Sequence, residues 1–487
     1  MSEIIEVSGS SRKSRQESWL FACMLFVLVW APLPFGSSRP WGAALLFLLT
    51  AVVLLWWLFL FMAGSAGIKH QIWRKLRLPL GLLLVVQLWV FFQTLPLPRS
   101  LVAILSPKAA ALHLPGNWVP ISLDPEQTRF YLMQGLTYTA AFFLFVAILN
   151  TKKRIGIFLW TVTLCGTFQA IFGSLMTLSG IEFGFFVEKY TGIGLATGTF
   201  INRNHLAGFL VMCLSAGIGL MISRMGVAGR LQSMLGFKSI LRLVYTEKFL
   251  LRLMLVVMVV GLVLTRSRMG NTAFFFSLAL ASTIAVAGSR AQVSRTMLIF
   301  LFGSLFLVDL LIVGQWFGVE QVAERIMQTS AETESRDEVS RFSLLLLMDY
   351  LWTGSGGGSY YTIFPHYSQQ VLQGDYYTHA HNDFVELAAN LGLPAFLMLA
   401  GFVFLSFRNT LFLEKQRVER SDLGRAFVVH MAICWLGFHS VVDFNMHIPA
   451  NAFTFVSLMA LAWVGVKHPV DANGVPVTWT PQFGRNS

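Results

Sequence analysis

Apolar residues in this chain fall into runs of about twenty, separated by short polar joints, and the runs recur from residue 19 almost to the end. A helix rises about 1.5 Å per residue, so about 20 residues cross a hydrocarbon layer. Strand-like alternation is absent, and continuous apolar runs satisfy their backbone as helices rather than as a closed barrel. The pattern predicts an all-α polytopic integral membrane protein with about 12 transmembrane helices. They are expected near residues 19–35, 42–64, 78–96, 129–149, 155–178, 205–223, 249–265, 271–288, 296–316, 383–406, 427–444 and 450–466. A polar tail, 1–18, leads into a first run without a small-residue cleavage site and reads as the approach to an uncleaved signal anchor. Residues 467–487 form a second tail. Between the tails, 19–466 make one membrane domain with two long segments between spans, 97–128 and 317–382.

Composition agrees. The chain is 55% hydrophobic and only 12% charged, against roughly a quarter charged in soluble domains. Cys23, Cys165, Cys213 and Cys434 stand singly inside apolar runs, with no paired spacing for a metal or redox motif. The net charge of +12 sits in short clusters between runs and forms no nucleic-acid module, so membrane lipids are the expected surroundings and nucleic acid is not a partner. With the N-terminus in the cytoplasm, most of the 36 lysines and arginines fall inside, among them Lys69, Arg74, Lys75, Arg77, Lys152, Lys153, Arg154, Arg408, Lys415, Arg417, Arg420 and Arg425. That is the orientation the positive-inside rule favours. Both tails are then cytoplasmic, and segments 97–128 and 317–382 face outward. Long segments in a compact protein are usually functional or disordered. The second mixes charges, a glycine cluster (Gly354, Gly356, Gly357, Gly358) and tyrosines, unlike a simple linker.

Three polar clusters map to the same, outer end of different spans. TGTFINRNHLAGF (197–209) places Arg203 and His205 at the mouth of the sixth span, with Asn202 and Asn204 able to cap it. LTRSRMG (264–270) is a tight outside turn carrying Arg266 and Arg268, where a forked guanidinium suits phosphate oxygens. Both could instead anchor to lipid headgroups. THAHNDFVELAANLGLPA (378–395) brings His379, His381, Asn382 and Asp383 to a helix start, with Glu386 one turn in. A neutral imidazole there could take a proton from a sugar hydroxyl; it could also bond loop backbone. The HxH pair with His366 is a weak metal pattern, lacking a fixed third ligand, so no metal or cofactor is expected. Asp443 and His447 lie at the outer end of the eleventh span, with Asp443 expected to support the site. Asp309, inside the ninth span, needs a partner or a proton.

Together, GTFINRNHLAGF, the SRMG turn, the long outer segment and HNDFVELAANLG resemble the O-antigen ligase and O-antigen polymerase superfamily of bacterial envelope enzymes. In that family a His, then Asn, Ser or Gln, nine residues and Gly open a span; His381, Asn382 and Gly392 match, while Ala395 replaces the usual Gly, Thr or Tyr. PLPFGSSRPW (32–41) resembles the exopolysaccharide-polymerase branch. The resemblance implies a metal-independent, inverting membrane glycosyltransferase in the bacterial inner membrane with its active site facing the periplasm. It implies an undecaprenyl-diphosphate-linked oligosaccharide as donor and a glycan or lipid A core sugar as acceptor. Such an enzyme would serve exopolysaccharide or lipopolysaccharide biosynthesis, with polymerase favoured over ligase. Arg268, with Arg203 and Arg266, would neutralise the diphosphate, and His381 would orient or deprotonate the acceptor; His205, His379, Asn382 and Asp443 would line the substrate. A transporter or flippase of lipid-linked glycan is the alternative, but it predicts charges deep in several spans, where Asp309 stands almost alone. A non-catalytic assembly subunit would leave the outer arginines and histidines unexplained.

Overall fold

The computed structural model describes residues 2–184, 187–189, 191–224, 247–288, 296, 298, 299, 302–304, 330–368, 377–415 and 419–465. Its helices are α1 (Ser2–Trp30), α2 (Pro40–Met62), α3 (His70–Gln93), α4 (Arg99–Leu105), α5 (Pro107–Leu112), α6 (Pro125–Ile148), α7 (Lys152–Ser179), α8 (Arg203–Ser223), α9 (Glu247–Leu264), α10 (Arg268–Gly288), α11 (Ser330–Asp349), α12 (Tyr360–Ile363), α13 (Pro365–Ser368), α14 (Asp383–Leu391), α15 (Leu393–Lys415), α16 (Arg420–His439) and α17 (Pro449–Ala460). Among the described residues, seven are long and apolar enough to cross a membrane: α2, α3, α6, α7, α8, α10 and the Leu393–Leu411 part of α15. The chain is an all-α, multi-pass membrane protein. α9 and α17 coincide with two further expected spans, but α9 carries Glu247, Lys248 and Arg252 in 18 residues and α17 has only 12. Asp309 lies outside the described residues.

α8 is the central helix, buried from His205 to Ile222. Small residues let its neighbours approach, which matters because lipid tails remove most of the hydrophobic drive between helices. A Cβ on Gly219 would stand 2.6 Å from the Gly424 carbonyl oxygen of α16, and one on Gly166 of α7 would stand 2.3 Å from Cys213 Cβ. At one end of the bundle Lys152 pairs with Glu419, and Arg154 with Glu17 at 3.3 Å. The 28 residues of α7 then carry the chain roughly 42 Å to the other end, where α8 begins.

The described residues of the two long segments hold regular elements. In 97–128, α4 and α5 are closed by a short antiparallel pairing of β1 (Leu97–Pro98) with β2 (Trp118–Val119). The Arg99 guanidinium donates to the carbonyls of Ala110, His113 and Leu114 at 2.6, 3.0 and 2.9 Å, so this arginine is committed to its own segment. In the second segment α11 is a 20-residue helix, and the glycine cluster turns back onto the end of α14. Gln93, fully buried at the end of α3, accepts from the Gly357 amide at 3.1 Å and donates to the Thr353 carbonyl at 2.8 Å.

The expected tenth span, 383–406, is two helices. Gly392 has φ +81° and separates α14 from α15. Its own amide still bonds the Ala388 carbonyl at 2.9 Å, but the next amide, Leu393, turns to the Leu351 carbonyl at 2.7 Å. A continuous span would have carried Asp383 and Glu386 into the membrane; the break leaves both on a separate nine-residue helix.

Candidate active site

Two helix starts carry the arginines. Asn202 accepts from the Asn204 amide at 2.8 Å, which caps α8 and makes Arg203 its first residue. Ser267 does the same for α10, accepting from the Gly270 amide at 3.0 Å, with Arg268 as first residue; Thr265 accepts from the Ser267 amide at 3.1 Å. The turn between them is closed by Arg266 at φ +51°, a left-handed conformation that costs a non-glycine residue roughly 1–2 kcal/mol. The two starts are adjacent, since a Cβ on Gly270 would lie 2.5 Å from Ala207 Cβ. Arg266 and Arg268 are exposed and Arg203 is half-buried. A cation in the first turn opposes the helix dipole by about 0.3–1 kcal/mol. Two neighbouring starts with this arrangement make a place where an anion is favoured.

PLPFGSSRPW packs against the same region. Its turn has positive φ at Phe35, Gly36 and Ser37, a Cβ on Gly36 would lie 2.6 Å from the Phe200 ring, and Thr199 Oγ1 donates to the Pro32 carbonyl at 2.6 Å.

A buried acid–imidazole network lies at the start of α14. Asn382 caps it, accepting from the amides of Phe384 and Val385 at 3.1 Å each. Asp383, fully buried, accepts from Ser440 Oγ at 2.8 Å and the Met446 amide at 3.1 Å, and is 3.0 Å from His447 Nδ1. His447 Nε2 is 3.0 Å from Glu386 Oε1, and the same oxygen is 2.9 Å from His379 Nδ1. The second Glu386 oxygen accepts from the Ala380 amide at 2.8 Å. Burial disfavours charge on both His447 and Glu386, yet their attraction prevails: it holds His447 above the ordinary imidazole range, helped by Asp383, and Glu386 below the ordinary carboxylate range, helped by His379.

Phe444 joins the histidines. Its ring stacks on His379 at 4.2 Å between centroids and meets His381 and His205 edge-on at 5.0 and 4.8 Å. His381 is half-buried and left-handed at φ +50°; strained backbone of this kind clusters at functional sites. Asp443, by contrast, shapes the turn that presents Phe444, accepting from the Phe444 amide at 2.9 Å and from Asn445 Nδ2 at 3.3 Å. Asn445 also meets His439 Nδ1 at 2.7 Å, and Asn451 donates to the His205 carbonyl at 3.0 Å. The structure therefore brings His205, His379, His381, Asn382 and Asp443 together, and sets the helix of His205 against the start carrying Arg268.

Sequence reasoning underweighted Asp383, Glu386 and His447. The available signal was HNDFVE, two acids three residues apart at a helix start, which places them on one face. His379 Nδ1, Glu386 Oε1 and His447 Nε2 lie within 4.8 Å of one another, a spacing a cation could bridge, and His366 is not among them. Asp383 and His447 also edge a cavity of about 490 Å³, otherwise lined mainly by apolar side chains such as Leu83, Phe384, Phe396 and Phe455.

No curated protein matches the chain. Residues 253–400 match the O-antigen ligase family model, a stretch that holds Arg266, Arg268, His379, His381 and Glu386, while Arg203, His205, Asp443 and His447 reach the site from outside it. Over this stretch, about a third of its length, the chain is similar to the O-antigen ligase family.

Proposed function

We propose that the protein is an inverting glycosyltransferase acting on an undecaprenyl-diphosphate-linked glycan at the outer face of the bacterial inner membrane, as an exopolysaccharide or O-antigen polymerase or an O-antigen ligase. The observation that carries this reading is the pair of adjacent helix starts whose first residues are Arg203 and Arg268. Negative charge accumulates on the diphosphate as the anomeric carbon–oxygen bond breaks, and donors already fixed at that position stabilise the transition state more than the ground state. Arg268 is the principal clamp, aided by Arg203 and Arg266. His381 orients the acceptor hydroxyl or takes its proton on the opposite face of the anomeric carbon, so that a single displacement inverts configuration. The apolar cavity beside Asp383 and His447 suits a polyprenyl chain.

Purified full-length protein, given a polyprenyl-diphosphate oligosaccharide and a glycan acceptor, should form one new glycosidic bond of configuration opposite to the donor's, read by NMR of the product. Retention of configuration, or movement of intact donor across vesicles with no new bond, would overturn the proposal; the second outcome is the transporter's.

A further inference from the structure

The network around Glu386 has a direction. Asp383 is fixed by Ser440 Oγ and the Met446 amide, His447 lies between Asp383 and Glu386, and Glu386 is the hydrogen-bond partner of His379. The first three are shielded, with side-chain exposures of 0%, 7% and 2%, whereas His379 is 27% exposed. The chain thus runs from the interior to one accessible imidazole. A carboxylate can only accept, so Glu386 holds the proton of neutral His379 on Nδ1 and leaves a lone pair on Nε2. Stacking on Phe444 at 4.2 Å fixes the ring plane, and the same phenylalanine touches His381.

Charge bookkeeping points the same way. With His447 as imidazolium, Asp383 and Glu386 leave the buried network one negative charge in excess. A proton arriving on His379 removes that excess and places the new imidazolium beside the Glu386 carboxylate. Resting on the transferase reading above, we infer that His379 is the proton acceptor of the reaction, with Glu386, His447 and Asp383 as its positioning residues and His381 as the group that orients the acceptor sugar. In the step, the acceptor oxygen bonds the anomeric carbon and the carbon–oxygen bond to diphosphate breaks, its electron pair leaving with phosphate. The hydroxyl proton passes to His379 Nε2 and later to solvent.

The test uses the full chain in detergent with a polyprenyl-diphosphate oligosaccharide as donor and free glycan as acceptor. His379→Ala should lower kcat by about 10²–10⁴-fold with donor KM little changed, and added imidazole should restore part of the loss. Glu386→Gln should lower kcat in the wild-type background but cost little more once His379 is alanine, because it acts through that ring. A His379→Ala protein that is folded and fully active, or a deficit that imidazole never relieves and that simply adds to that of Glu386→Gln, overturns the relay. Loss of wild-type activity on chelation, restored by zinc, overturns it in favour of a cation held by His379, Glu386 and His447. If the wild-type chain forms no glycosidic bond at all, the transferase reading falls and the relay with it.

Discussion

Replacing Gly392 by alanine tests the local architecture that places the site. At φ +81° and ψ 154° the residue occupies a region open essentially to glycine, and holding an alanine there costs about 1–3 kcal/mol. The added Cβ would also stand 2.5 Å from the Trp352 carbonyl oxygen and 2.9 Å from the Gly354 amide nitrogen. Neither is a flexible side-chain end. Trp352 is held between the Leu393-to-Leu351 bond at 2.7 Å and the Gly354-to-Tyr350 bond at 2.8 Å, so relief means giving up a buried backbone hydrogen bond, about 1–3 kcal/mol more. The total, about 2–6 kcal/mol, is a large share of a typical 5–15 kcal/mol stability. Gly437→Ala is the control, since nothing lies within 4 Å of its Cβ and its helical φ is ordinary; it should be neutral or gain about 0.5–1 kcal/mol. Thermal unfolding in detergent should separate the two clearly. Equal melting temperatures for Gly392→Ala and Gly437→Ala would refute the reasoning.

Cysteines placed at Ser330 and Ser368, after removal of the four native ones, should react with an impermeant thiol reagent in intact spheroplasts; labelling only after disruption would reverse the proposed orientation. Asp383→Ala strips partners from Ser440, the Met446 amide and His447 and should cost about 3–5 kcal/mol, checked by melting temperature, with Ser440→Ala near 1 kcal/mol. Because His447 is raised in the folded protein, its pairing contributes fully below its ordinary pKa near 6.5 and is lost as pH rises through the raised value. Melting temperature should therefore fall on the alkaline side in wild type and fall less in His447→Gln. Chelators should leave glycan transfer intact.

The helical spans were legible because continuous apolar runs leave few alternatives, and the expected 205–223 and 271–288 are examples the structure describes as the bodies of α8 and α10. The cap of α8 was legible too, since Asn202 sits where a capping side chain must sit. The break at Gly392 was not. ELAANLGLPA carries no charge between Glu386 and Ala395 and reads as unbroken helix; a positive-φ glycine and a distant carbonyl, on Leu351, which takes the Leu393 amide, stop it. The histidines and arginines could be assigned to one end by counting spans, and His379 and Glu386 pair only seven residues apart, but the pairing of His447 with Asp383 joins residues 64 apart in sequence. No local pattern encodes that contact.

In the proposed reaction a clamp built on Arg268 and an acceptor site built on His381 act on one donor molecule. The most direct measurement is glycan transfer by purified full-length variants, alongside separate binding of the polyprenyl-diphosphate donor. Arg268→Lys keeps the charge but loses the forked geometry, so both donor affinity and transfer should fall strongly. His381→Ala should abolish transfer while donor binding stays near wild type. Full-rate transfer by either variant at normal protein levels would contradict the account.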